Sequence, residues 1–125
     1  MGATVLFIIL QDFNLYFTDV YSMPIGQIPA TLVFQLVIVV ASEEIIFRGV
    51  LLEVFHQIHW MVAVLVSSVL FALFHFAVYG GNIGALLIAF VLGIVFALCV
   101  YRWNLGVAMS LHYAWNLMAL GVLTL

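Results

Sequence analysis

Glu43 and Glu44 are adjacent, and Arg48 follows the second of them by four positions, in the stretch ASEEIIFRG inside an almost unbroken apolar run. The whole chain has only 2 Lys and Arg and 5 Asp and Glu, so this concentration of charge demands a reason. On a helix Glu44 and Arg48 stand at i and i+4 and can pair, whereas Glu43 points elsewhere, in line with Val39 and Phe47. An ionised carboxylate isolated in hydrocarbon is costly, so Glu43 needs a proton, a wet cavity or a partner from another helix. The polar residues available deep in other apolar segments are His75, His112 and Asn116, the last two one helical turn apart on a common face. Convergence of all of them on one cavity is the least costly way to satisfy them.

A carboxylate beside an imidazole suits the activation of water. Glu43 would take the proton and His75 would help to orient the water. His112 and Asn116 could donate hydrogen bonds to the oxygen that gains charge when an amide carbonyl is attacked. The same side chains also read as a metal site, with Glu43, His75 and His112 as ligands of a divalent ion such as zinc, and water as the fourth. No H-E-x-x-H is present, and spacing does not decide between a divalent metal and no cofactor. Ser42, Ser67, Ser68 and Ser110 read as small helix-contact residues, and Cys99 is alone, with no disulfide within the chain. His56 and His59 read as interfacial turn residues. A proton- or ion-coupled transporter would use the same buried Glu and His residues, and a non-catalytic immunity or scaffold protein would keep them without using them. No internal repeat of the transporter kind is visible.

The elements that must position these groups follow from composition. The sequence is 69% hydrophobic and 6% charged, with a mean hydropathy of +1.40, which cannot cover a water-exposed surface and reads as membrane-embedded. At about 20 residues per span, 125 residues supply about four main transmembrane helices. The expected fold is therefore all-α, a polytopic helical bundle with a partial amino-terminal span or interfacial segment over residues 1–23. Two arginines without lysine cannot build a phosphate-binding surface, which excludes nucleic acid as a partner. Membrane lipids are expected around the bundle.

The first main helix is expected from Ala30 to about residue 56, carrying the charged cluster. A second is expected over residues 61–78 with His75 inside it, closed by Gly80 and Gly81, with Asn82 capping the next. The third, residues 83–101, has Ala85, Ala89, Gly93 and Ala97 four apart, a small-residue ridge for close helix packing. The fourth, residues 105–123, carries His112 and Asn116 opposite a second ridge of Gly106, Ser110 and Ala114.

Three motifs in order, Glu43-Glu44-Ile45-Ile46-Phe47-Arg48, Phe71-Ala72-Leu73-Phe74-His75 and His112-Tyr113-Ala114-Trp115-Asn116, resemble those of the CPBP intramembrane proteases, also called the CAAX prenyl protease and bacteriocin-processing or Abi family. The match covers roughly residues 30–120. The resemblance implies an integral membrane endopeptidase of a prokaryotic cell membrane, acting on lipidated CAAX-type or membrane-associated peptides, with residues 24–125 as the protease core. It casts Glu43 as the water-activating glutamate, His75 as its partner, His112 and Asn116 as oxyanion stabilisers, and Glu44 as the partner of Arg48. Both a metal-dependent and a metal-free glutamate mechanism are argued for the family. Its members usually carry further amino-terminal helices, whereas about one weak segment precedes Ala30 here. The chain is accordingly expected to be a fragment, a minimal member or part of an oligomer.

Overall fold

A computed structural model describes residues 30–119, with side chains from residue 33 onward. All regular structure among them is helical. Helix α1, Ala30–Glu44, runs without interruption into a π-helical segment, Ile45–Leu51, and then into α2, Leu52–His56. The junction residues Glu44, Leu51 and Leu52 all keep right-handed helical dihedrals, so the run continues rather than breaks.

The π segment has a packing reason. Leu36, Val40, Glu44, Arg48 and Leu52 are all buried, a strict four-residue spacing. On an α-helix each four-residue step overshoots a full turn by about 40°, so four steps would swing Leu52 about 160° away from Leu36. A π turn holds more residues than an α turn and rotates the face back. The wide turn thereby keeps the charged pair and the apolar residues on both sides of it directed at the same neighbours.

Helix α3, Trp60–Phe74, starts where the extended residue His59 accepts a hydrogen bond from Met61 N–H at Nδ1 (3.2 Å). Helix α4, Ile83–Arg102, is capped as its sequence predicts, Asn82 Oδ1 accepting from Ala85 N–H at 3.1 Å. Helix α5, Leu105–Ala119, begins with Asn104 Oδ1 accepting from Val107 N–H at 3.0 Å. The most extensive packing is between α3 and α4, and α5 lies against both α1 and α4. Ala89, Gly93 and Ala97 of the expected ridge are buried in that packing. At Gly93 the two helices approach so closely that a Cβ would sit 3.0 Å from Ser68 Cα.

Two expectations are corrected. Helix α3 ends at Phe74 rather than residue 78, so His75 sits at its C-cap, with φ −83° and ψ 0°, and not within the helix. Gly106 and Ser110 are exposed instead of forming a buried ridge, and the Ser110 hydroxyl donates to the Gly106 carbonyl at 2.8 Å. The expected segment at residues 1–23 and the end of the last helix at residue 123 lie outside the described residues. The outer surface carries large apolar side chains, Phe34, Ile38, Ile58 and Ile83 being at least 70% exposed, while Glu44 and Arg48 are interior. Among the described residues one helix, Ile83–Arg102, is long and apolar enough by itself to cross a membrane, and Trp60–Phe74 is a shorter apolar helix.

A Cβ at Gly93 would press on the Ser68 backbone and side chain at 3.0–3.2 Å, so α3 and α4 would have to move apart to admit it. Gly93→Ala is expected to lose about 1–3 kcal/mol, read as a lower melting temperature in detergent. Gly49→Ala, whose Cβ would meet nothing nearer than 3.9 Å, is expected to melt with the wild type.

Candidate functional site

The centre of the bundle is a chain of polar contacts drawn from three helical elements. Arg48 Nη1–H donates to Glu44 Oε1 at 3.1 Å, and Arg48 Nη2–H donates to the Gly93 carbonyl of α4 at 3.2 Å. The Gly93 carbonyl lies at the place where α3 and α4 meet most closely. The guanidinium carbon stands 4.2 Å from the Phe71 ring centroid and 5.5 Å from that of Phe96, so its faces are covered by aromatic rings. Both side chains of the ion pair are completely shielded, and Glu44 Oε2 and Arg48 Nε have no hydrogen-bond partner among the described residues.

Glu44 Oε1 has a second donor. His112 Nδ1–H, from α5, reaches it at 2.8 Å, and the His112 ring stacks on Phe96 with centroids 4.8 Å apart and an interplanar angle of 19°. His75 is fixed differently. Its Nδ1 lies 2.9 Å from the Phe71 carbonyl, which only accepts, so the proton is on Nδ1. Its ring packs between Phe71, at 4.5 Å, and Tyr79, stacked at 5.6 Å.

With both Nδ1 atoms committed, each imidazole turns Nε2 toward Glu43. Glu43 Oε2 is 3.6 Å from His112 Nε2 and 3.8 Å from His75 Nε2. These separations exceed direct hydrogen bonds. Adjacent residues thus occupy opposite environments: Glu44 is sealed, while Glu43 and His75 keep 12% and 13% side-chain exposure. About 100° of helical rotation separates neighbours, which is how one backbone step accomplishes this.

Glu43, Glu44, Arg48, His75 and His112 are therefore brought together. Asn116, half-buried one turn beyond His112, makes no hydrogen bond with any of them among the described residues. No group of three or more His, Cys, Asp or Glu side chains among the described residues forms a ready metal site. Sequence reasoning missed the Glu44–His112 bond, which joins residues 68 positions apart and leaves no local signal. It also missed the stacked Tyr79, whose four-residue spacing from His75 was the available clue.

The family model for type II CAAX prenyl endopeptidase Rce1-like proteins matches residues 25–118, which spans every one of these groups. The chain belongs to the Rce1-like family. Neither the curated proteins nor the solved structures compared with it give a match. Membership implies a peptidase of a membrane-embedded family with CAAX-type endopeptidase activity. Within this Rce1-like chain the apolar exterior and charged interior are consistent with a lipid environment.

Breaking the sealed pair leaves an uncompensated charge. Arg48→Ala is expected to cost about 3–5 kcal/mol of stability. Arg48→Lys, which keeps the charge but not the two-pronged reach to Glu44 and Gly93, should recover only part of that in a thermal or chemical unfolding assay.

Proposed function

We propose that this chain is an intramembrane endopeptidase in which Glu43 activates a water molecule to hydrolyse a peptide bond of a lipidated, CAAX-type or membrane-associated substrate. The observation that carries the reading is the convergence of His75 Nε2 and His112 Nε2 on Glu43 Oε2, at 3.8 and 3.6 Å. A water shared by Glu43 and His75 gives its proton to the Glu43 carboxylate as its oxygen bonds to the carbonyl carbon. The carbonyl electron pair moves to oxygen, and Glu43 returns the proton to the leaving amine as the C–N bond breaks. His75, its tautomer fixed by the Phe71 carbonyl, offers Nε2 as the acceptor that orients the water.

Charge accounting supports a second role for His112. Two carboxylates and one guanidinium leave this buried cluster one proton short of neutrality, and a net charge in apolar surroundings is costly. That proton is shared among Glu43 and the two Nε2 atoms. When it rests on His112, Glu44 stabilises the imidazolium through Nδ1–H, and Nε2–H becomes a donor to the oxygen of the tetrahedral intermediate. Asn116, on the same face of α5, is the further donor that the family motif implies, reached when substrate is bound. In this reading the described helices form a polytopic membrane bundle with the site below the lipid-facing surface.

The test is cleavage of farnesylated CAAX-type peptides and transmembrane peptides by purified protein. Glu43→Gln is expected to lose at least about 1,000-fold in kcat, and His75→Ala about 100-fold or more, with both variants melting near the wild type. Full activity in Glu43→Gln would falsify the assignment. Loss of wild-type activity on metal removal, restored by added zinc, would overturn the metal-free route.

A further inference from the structure

Tyr79 lies outside all three sequence motifs, yet its ring stacks on the His75 imidazole, with centroids 5.6 Å apart and 22° between the planes. Its backbone is held at both ends. Tyr79 N–H donates to the His75 carbonyl at 3.0 Å, and the Tyr79 carbonyl accepts from Asn82 N–H at 2.9 Å. The turn that follows uses two left-handed glycines, Gly80 at φ 55° and Gly81 at φ 74°, and a Cβ on Gly81 would stand 3.3 Å from the Phe76 ring. The turn is thus shaped to present Tyr79 at one position beside His75.

The hydroxyl of Tyr79 differs from those of Tyr101 and Tyr113. Tyr101 Oη pairs with His56 Nδ1 at 2.8 Å and Tyr113 O–H donates to the Val33 carbonyl at 3.0 Å, whereas Tyr79 Oη has no hydrogen-bond partner among the described residues. Burial first, and then the negative charge of Glu43, hold this phenol above its ordinary pKa, so it keeps its proton and lies within the electrostatic reach of the general base. His75 Nδ1–H is spent on the Phe71 carbonyl and the Arg48 Nη1 and Nη2 donors on Glu44 and Gly93, while the unpartnered Arg48 Nε is sealed in the interior.

We propose that the Tyr79 hydroxyl is a further catalytic group, donating a hydrogen bond to the scissile carbonyl oxygen of the peptide substrate as that oxygen becomes negative. This rests on the hydrolase reading of Glu43 and adds a donor from the α3–α4 turn, beside His75. The hydroxyl transfers no proton. It acts only by a bond that strengthens as charge builds on the oxygen.

Tyr79→Phe preserves the ring, the stacking on His75 and the turn, and removes only the donor. With purified full-length chain and a farnesylated CAAX-type peptide, kcat is expected to fall about 100-fold, while KM stays within about twofold and the melting temperature is unchanged. A purely structural tyrosine would show no such split. Wild-type kcat in Tyr79→Phe beside an inactive Glu43→Gln overturns the Tyr79 role alone. Normal cleavage by Glu43→Gln, or none by wild type on prenylated and transmembrane peptides alike, overturns the hydrolase reading and the Tyr79 role together.

Discussion

The buried pair of Glu44 and Arg48 is the interaction on which the arrangement depends. Neither charge is tolerable alone in apolar surroundings, and their mutual attraction does not fully offset the loss of water. Each takes a further partner from another helix. Arg48 reaches the Gly93 carbonyl of α4 and lies over the Phe71 ring of α3, and Glu44 accepts from His112 of α5. One ion pair on the first helical run thus ties the remaining three main helices to a common point. The small residues at the α3–α4 crossing belong to the same construction, since the Gly93 whose carbonyl accepts from Arg48 also lies close against Ser68.

That anchor also orients the chemistry. His112 is held by Glu44 through Nδ1 and His75 by the Phe71 carbonyl through Nδ1, so each leaves Nε2 directed at Glu43. The arrangement gives the two carboxylates different settings: the sealed Glu44 fixes a ring, and Glu43 keeps partial exposure. Two neighbours in sequence carry these different duties because consecutive helical residues point about 100° apart. The π-helical segment directly after Glu44 keeps Arg48 and Leu52 in the same row as Leu36 and Val40, where a regular helix would have turned them away.

Membership in the Rce1-like family gives the general activity, and the proposed mechanism places it at the polar cluster around Glu43. The polar interior is small and closely counted. In the proposed mechanism two carboxylates, one guanidinium and two imidazoles share a single missing proton, so moving it between Glu43 and a histidine changes which group is base and which is donor without changing the total charge. Such a balance suits a site in lipid, where the net charge is constrained and local proton transfers are not.

The composition, the helical segments and the ridge at Ala89, Gly93 and Ala97 could be read directly from the residues, because helix periodicity and close helix packing leave local signals. So could the i,i+4 pairing of Glu44 with Arg48 and the capping by Asn82, which are local. The sequence also pointed to Glu43, His75 and His112 as groups needing partners, by the cost of leaving them without any. It did not show that α3 stops at Phe74, since its apolar pattern continues past the stop into a turn set by later glycines. It assigned Asn116 the same standing as His112, although only His112 enters the hydrogen-bonded cluster. Which nitrogen of each histidine faces Glu43, and the seat of Tyr79 beside His75, were decided by tertiary structure alone. Those facts depend on where backbone carbonyls and carboxylates from distant helices fall in space, and a one-dimensional pattern carries no information about that.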